Sequence, residues 1–540
     1  MKINIKYLVA ASLIGVMTSC IDEVQPTQVI TQEQLNSSSK ATEALLWAMP
    51  SFLNDYATVS SSSTPGYVFG YGAIMHIRDV MTSDMAIISS GYDWFSSWEQ
   101  DSYIGENYLT TQFIWNYYTQ LCLTANNLIG AVDEETASEA QLAYLGMARG
   151  YRAMTYLDMA RMYEFLPNDK TEAGEGVLYC TVPITTEETT EEIARDNPRA
   201  TRQEMFDFIL NDLTIAEGYL KGFTRPAKTV PDISVIYGLM ARLYMWVEDY
   251  PNAAKYAQQA ITAFGPSNVT SQSEWLSTTN GFNTLGTSWM LGGQQNKEDD
   301  VVQSGIINWT SWMSNETTYG YTFADGGGGF LMIGSWMYDR MSDDDFRKLS
   351  YIAPAGSKLA GKEPVINQSF ADQYFKPYFS LKFRPGDGNM DDYQVGSSTA
   401  YPLMRLEEMY FILAEAQAHS SAAQGKQTLE DFMKTYRYSS YTCTASSQDD
   451  IIEEIVFQKR VELWGEGQSF YDIKRLNYNV TRSYPGTNFY AGCNFNTVGR
   501  PAWMNICIVQ TEANNNAGVR GYNNPDPSDL YTPGEYAYED

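Results

Sequence analysis

Apolar residues recur at steps of three and four along several stretches of the chain, the spacing of one face of an α-helix. The first such stretch begins near Gln34 and runs through ATEALLWAMPSFL. A clearer one spans Asn107 to Val132, where Trp115, Tyr118, Cys122, Ala125 and Ile129 share a face. The next runs from Glu139 to Tyr163 on Leu142, Leu145, Ala153, Tyr156, Ala160 and Tyr163. A polar interval follows, and Thr201 with Glu204 three residues on then opens a helix to Leu220 as a capping box. Ser234–Trp246 and Tyr250–Phe264 read as two short amphipathic helices joined at Glu248-Asp249-Tyr250, with Pro251 suited to the first turn of the second. Ala254, Ala257 and Ile261 are slim enough to let the pair approach closely, and Pro266 ends the unit. This is the tetratricopeptide pattern. One such unit cannot bury its own apolar face, so neighbours must stack on it.

From Ser267 to about Thr399 the periodicity fades. Gly, Ser, Asn, Thr and aromatic residues dominate, and Gly326 to Gly329 are consecutive. A polar stretch this long inside a folded chain is functional when it is not disordered, and its tryptophans argue against disorder. Helical spacing then returns. Leu403, Leu406, Tyr410, Leu413 and Gln417 define one helix; Ile452, Ile455, Val456, Lys459 and Leu463 define another; Phe470–Leu476 is a short third. The Pro- and Asp-rich tail reads as coil. The expected architecture is mostly α: one domain over 33–540, with a scaffold of helical pairs in 33–266 and 401–480 and a large loop-rich insertion in 267–400.

The N-terminus carries a different device. Lys2 and Lys6 precede an apolar run from Tyr7 to Met17, and Thr18-Ser19-Cys20 follows. That is the layout of a secretory signal over residues 1–19. The apolar run is far short of the roughly 20 helical residues that span a hydrocarbon core. Residues 20–32 are polar and form a tether. A cysteine at the cleavage point resembles the bacterial lipoprotein signal, in which the thiol of Cys20 takes a diacylglyceryl group. Met17 and Ser19 depart from the usual Leu and Gly or Ala of that box. Asp22 and Glu23 resemble the acidic surface-export signal of Bacteroidetes lipoproteins. The competing reading is an ordinary signal peptide with a chance cysteine.

A formal charge of −29 over 540 residues repels phosphate backbones and anionic lipid, so nucleic acid is excluded as a partner and the acyl chains on Cys20 become the membrane contact. The chain has 39 Tyr and 12 Trp, rings with an apolar face and a polar handle that suit sugar binding, although a Tyr-rich helical core would give the same count. His76 and His419 stand far apart, with no partner at zinc spacing, so a zinc enzyme and a His-based triad are not expected and no metal or cofactor is called for. Five cysteines besides Cys20, an odd number at wide spacings, make no disulfide framework; Cys493 with Cys507 is the only pair suspected of bridging. Asp387, Asn389 and Asp391 open like a calcium loop. Asp392 and Ser398 then stand where Gly and Glu are required, so a solvated turn is expected, with a surface calcium ion as the alternative.

The C-terminal helices carry a family resemblance. YPLMRLEEMYFILAEAQA (Tyr401–Ala418) and IVFQKRVELWGEGQSFYDIKRL (Ile455–Leu476) resemble the two signatures of the SusD/RagB family of surface glycan-binding lipoproteins. The matching positions include Pro402, Arg405, Glu408, Glu462, Glu466, Gly467, Asp472 and Arg475. Upstream, DVMTSDM (Asp79–Met85), WNYYTQLCLTANNLI (Trp115–Ile129) and ARGYRAMTYLDMARMY (Ala148–Tyr163) are similar too, in the expected order. The resemblance implies a helical scaffold of tetratricopeptide-like pairs that cradles a loop-rich ligand face. It also implies a lipid-anchored outer-membrane protein facing the cell exterior. Such a protein binds oligo- or polysaccharide and hands it to a SusC-like TonB-dependent transporter, without catalysis. The matching motifs are expected to serve the scaffold: Arg149, Arg152, Arg405, Glu408, Glu462 and Arg475 should form buried or interface ion pairs.

The sugar site should lie where aromatics stand beside amides and carboxylates, since a flat ring takes the apolar face of a sugar and polar groups take its hydroxyl rim. Two stretches qualify. In Gly91–Asp101, Trp94 and Trp98 are four apart and would share a face if the segment is helical; packed inward, they would be core instead. Within the family a platform aromatic comes from this part of the chain, which favours Trp98. In Ile307–Phe330, Trp309, Trp312, Tyr319 and Tyr321 are interleaved with Asn308, Asn315, Glu316 and Asp325, and Trp336 follows. The alternative for this stretch is a pair of β-hairpins with aromatics folded onto the helices. The candidate glycan contacts are Trp94, Trp98, Trp309, Trp312, Tyr319, Trp336 and Asp325. Two other functions compete: a glycoside hydrolase using a carboxylate pair that nothing singles out, and a tetratricopeptide adaptor that binds protein and no sugar.

Overall fold

The computed structural model describes residues 39–59, 64–88, 94–172, 174 and 176–535. The signal segment, Cys20 and the tether therefore lie outside the described residues. The helices are α1 (Ser39–Phe52), α2 (Tyr71–Val80), α3 (Leu109–Ala131), α4 (Glu139–Tyr163), α5 (Arg202–Leu220), α6 (Ile233–Trp246), α7 (Tyr250–Phe264), α8 (Leu406–Ser420), α9 (Ala422–Tyr436), α10 (Gln448–Glu462) and α11 (Ser469–Leu476), with shorter turns between them. From α3 to α10 each helix packs on the next, and α1 lies against α3 and α4. The stack passes directly from α7 to α8, so the long irregular segment between them is an insertion into a continuous run of helices.

Local chemistry fixes the helix starts. Ser138 with Gln141, and Thr201 with Glu204, form reciprocal capping boxes on α4 and α5. Asp232 caps α6 by accepting from the amides of Ser234 and Val235, and Asp249 caps α7 through Asn252. Ala253, Ala257 and Ala260 are fully buried while Ala254 is not, so the close-packing face of α7 is rotated from the expected one.

Two short antiparallel pairings stitch the insertion to the scaffold. β1 (Met85–Ile87) pairs with β3 (Leu331–Ile333), and β2 (Trp289–Gln294) pairs with β4 (Ala400–Arg405). Leu403, expected in a helix, lies in β4, which is buried along its whole length. The hairpins considered for 307–330 do not form: Trp309–Met313 is a single helical turn. The described part of the tail, to Glu535, is coil as read, yet it is docked, with Tyr531 buried edge-on against Trp503. Cys493 and Cys507 are both free thiols, so the expected candidate bridge is absent. His76 is buried with its ring edge-on to Phe95, and His419 stacks on Tyr250 at 3.6 Å. The Asp387–Asp391 stretch is a turn in which Asn389 accepts from the amides of Asp391 and Asp392. Among the described residues no helix is long and apolar enough to cross a membrane.

The family-signature charges are buried. Glu462 accepts from Arg347 at 2.9 Å, from Arg405 at 3.1 Å and from Arg437 at 2.7 Å. Glu466 takes Lys382 at 2.7 Å and Arg405 at 2.9 Å. Glu407 contacts Arg405, and Asp345 contacts Arg347. Four cations thus face four carboxylates, all buried. Asp345, Arg347 and Lys382 come from the insertion; the other five come from the scaffold. The network ties the two together. Arg149 and Arg152 likewise share Asp212, and Arg242 pairs with Glu408.

Gly467 shows how tightly α2 is held to the turn before α11. Its φ is +67°, and its amide donates to both carboxylate oxygens of Asp79 at 3.1 and 3.0 Å. A Cβ there would lie 2.9 Å from the Met75 Cα. Gly467→Ala is expected to cost about 2–4 kcal/mol, the strained φ and the overpacking together. Gly486→Ala (φ +77°, with no atom within 4 Å of the added Cβ) should show only the backbone part. Urea unfolding of the two variants checks the difference.

Candidate functional site

Of the twelve tryptophans nine are buried, Trp47 and Trp336 are half-buried, and Trp94 alone is exposed, by 40%. Trp94 is therefore the one indole on offer to a ligand ring. It lies in the turn just before the short helix Ser96–Glu99. Its pyrrole edge rests on Gly66: a Cβ added there would fall 2.7 Å from Cδ1 of the ring. The carbonyl of Gly66 accepts from Nε1 of Trp312 at 3.0 Å, so this glycine is clasped between two indoles. Trp312 in turn stacks on Tyr321, with centroids 4.3 Å apart and planes 17° from parallel. The Tyr321 phenol is half-buried and hydrogen-bonds with the Trp94 side chain. Burial raises its pKa, so it stays protonated and can donate.

The result is an aromatic shelf with a rigid underside. Phe95 meets Trp312 edge-on at 4.8 Å and His76 at 4.4 Å. Burial lowers the His76 pKa to about 3, so a neutral ring supports the shelf at neutral pH. The shelf residues carry no formal charge. The segments 60–63 and 89–93 that flank Gly66 and Trp94 lie outside the described residues.

The expected contacts separate into groups. Trp94 faces solvent, and Asp325 is exposed on the loop that carries Tyr321, at a φ of +52°. Trp98 is buried, 5.0 Å and perpendicular from Tyr67, and this corrects the expectation that it is the platform. The physical reason is the helix start: Trp94 precedes the first turn, so residues four apart do not share a face. Trp309 is buried between Phe383 and Tyr401, and Trp312 lies under the shelf instead of on it. Tyr319 is pinned, its phenol oxygen accepting from Ser397 at 3.3 Å. Trp336 opens onto a separate hollow of about 350 Å³, but Arg460 covers its ring at 5.1 Å and its Nε1 donates to Ser83. Gly66, which no residue pattern pointed to, and Tyr321, named among the loop aromatics but not among the candidate contacts, complete the shelf.

Gly66→Ala tests the arrangement without removing a ring. The new methyl displaces Trp94, whose exposed side chain is free to swing, so stability should change by less than about 1 kcal/mol. Affinity for a shelf ligand should fall several-fold. Calorimetric titration together with thermal melting checks both.

Two larger openings lie elsewhere among the described residues. One, of about 740 Å³, lies between α3 and the 511–520 segment and is lined by Trp115 and several asparagines. The other, of about 500 Å³, lies inside the helical stack.

Comparison with known proteins agrees with this architecture. The model of the SusD family matches residues 375–532, and a second model, described as starch-binding associating with outer membrane, matches residues 23–245. The chain belongs to the SusD/RagB family. Among solved structures, a SusD-like carbohydrate binding protein from Bacteroides vulgatus is 23% identical, with 89% of this chain and 96% of that chain covered and a TM-score of 0.69. A SusD superfamily protein from Bacteroides thetaiotaomicron is 16% identical over 90% of this chain and 99% of that one, at a TM-score of 0.67. Surface glycan-binding protein A from Bacteroides fluxus is also 16% identical, over 90% and 99%, at 0.62. No curated protein matches the chain. At these identities the solved structures establish the shared fold.

Proposed function

We propose that this chain is a surface lipoprotein that binds oligo- or polysaccharide at the Trp94–Tyr321 shelf and passes it, uncut, to a SusC-like TonB-dependent transporter. The lipid on Cys20 holds it to the outer membrane, facing outward. The single observation that carries the reading is the exposed indole of Trp94, braced on Gly66 beside a phenol. An apolar ring face takes the C–H face of a sugar, and Tyr321 with Asp325 supplies polar groups for its hydroxyls. Family membership, the match to a starch-binding outer-membrane model, and likeness to proteins described as carbohydrate binding and surface glycan-binding all support it.

A glycan array probed with the chain beginning after Cys20 tests the reading. Saturable binding to a defined glycan, with no new reducing ends released on prolonged incubation, is the expected result. Turnover would favour a hydrolase, and a blank array a protein adaptor. Because the ring contact that carries the binding is uncharged, affinity for a neutral glycan should change little with added salt.

A further inference from the structure

The 500 Å³ cavity in the helical stack has a charge balance opposite to that of the molecule. Seven of its lining side chains are cationic and four are carboxylates, in a chain of formal charge −29. Most of these cations have a carboxylate of their own. Arg242 pairs with Glu408 at 2.6 Å, Lys459 with Asp472 at 2.9 Å, and Arg202 with Glu164. Arg161 pairs with Asp158 and Arg475 with Glu415, both at 2.6 Å, using carboxylates outside the lining. Among the described residues, Lys474 and Arg500 have none within ion-pair distance.

Lys474, on α11, is buried, and its Nζ donates to one protein acceptor, the carbonyl of Met162 at 2.8 Å. An ammonium has three N–H groups, so two are left for something else. Arg500 donates Nε to Asn477 at 3.0 Å, and among the described residues its two terminal nitrogens meet no acceptor. The charges around Lys474 are Glu164 on one side and Arg500, Arg199 and Arg202 on the other. The remaining lining carboxylates, Glu248, Glu408 and Asp472, do not reach it. Glu164 is itself occupied by Arg202 and by Nε1 of Trp246. Arg199, buried next to the cavity, donates to the carbonyls of Tyr163, Cys180, Thr181 and Tyr522 and to the Asn524 side chain, and so relieves nothing. Burying an uncompensated cation among like charges costs several kcal/mol. Elsewhere in this fold buried cations are matched by carboxylates, as around Glu462, or saturated with carbonyl acceptors, as Arg199 and Arg482 are. Here the match is missing, and burial with the neighbouring cations holds Lys474 well below its usual pKa.

We infer that this cavity is a binding site for an oxyanion, a carboxylate or phosphate group carried on a small molecule up to about disaccharide size, with Lys474 and Arg500 as its first contacts. The volume is large for a bare ion and falls within the range of small-molecule pockets. The exposed ring of Tyr179 stands at the wall, next to Arg202. The site shares no residue with the shelf.

Isothermal titration of the full chain in neutral detergent tests the inference with four probes: galacturonate, glucose 6-phosphate, inorganic phosphate and neutral galactose. The acids should bind saturably, more weakly as salt is added, and galactose should not. Inorganic phosphate binding as tightly as the sugar acids would also support the site and name a free anion as its occupant. Arg500 is half-exposed, so Arg500→Gln should fold; it should raise the Kd for the acids about ten-fold or more. The same variant should leave glycan binding at the shelf unchanged, which separates failure of this site from failure of the other. Absence of saturable binding by every acid, or binding indifferent to Arg500→Gln, would overturn the inference.

Discussion

Glu462→Gln is expected to destabilise the protein by about 3–5 kcal/mol, the cost of leaving buried charge without its partner. The substitution keeps the side chain's shape and removes one charge, so three guanidiniums, those of Arg347, Arg405 and Arg437, lose the carboxylate they share. Because Arg347 belongs to the insertion and the others to the scaffold, the damage should fall on the junction between them. Glu462→Gln with Arg437→Met restores equal numbers of cations and carboxylates and should regain part of the loss. Thermal melts of wild type, single and double variants check this. A single variant melting within about 1 °C of wild type would show that the network carries little.

The same cluster fixes a pH dependence. Burial pushes the Glu462 carboxyl up, but the guanidiniums of Arg437, Arg405 and Arg347 outweigh it and hold it below its usual range. Glu415 is lowered in the same way, with Arg475 as the main opponent of burial, to about 2 from 4.5. A carboxyl whose folded pKa is depressed contributes stability that is present above the unfolded value and lost as pH falls through the folded one. Melting temperature should therefore drop steeply from pH 4.5 down to about 2, and Glu462→Gln should flatten that slope.

Trp94→Ala should weaken glycan binding by about 30-fold or more, the loss of roughly 2 kcal/mol that follows truncation of a central aromatic contact. Stability should change by less than about 1 kcal/mol, because the ring is exposed. Trp94→Phe keeps a flat apolar face and should recover much of the affinity. Trp98→Ala gives the opposite pattern. It empties a core site against Tyr67 and Phe95 and should cost about 3–5 kcal/mol of stability. Calorimetric titration beside urea unfolding separates the two.

The scaffold was legible because its helices repeat at 3.6 residues and announce their starts. The range of α4 and the Thr201 cap follow directly from the residues. α9 escaped because only Gly425, Leu429, Phe432 and Met433 are buried on it, too sparse a stripe to stand out. β4 was absorbed into α8 because a strand buried on both faces has no alternation to mark it. The ligand face was harder. An aromatic-rich loop shows that rings are present, but which ring is core depends on contacts with distant segments. Trp94 meets Gly66, and Trp312 meets both Gly66 and Tyr321, and no local pattern encodes those meetings. The cationic cavity was invisible for the same reason: its cations are scattered from Arg161 to Arg500 with no basic run anywhere.

The most direct measurement is a crystal structure of the chain with an oligosaccharide that binds it on the array. The expected result is a sugar ring lying flat on the Trp94 indole, with its hydroxyls toward Tyr321. A saccharide seated in the Trp115 cavity or beside Trp336, with Trp94 bare, would contradict it.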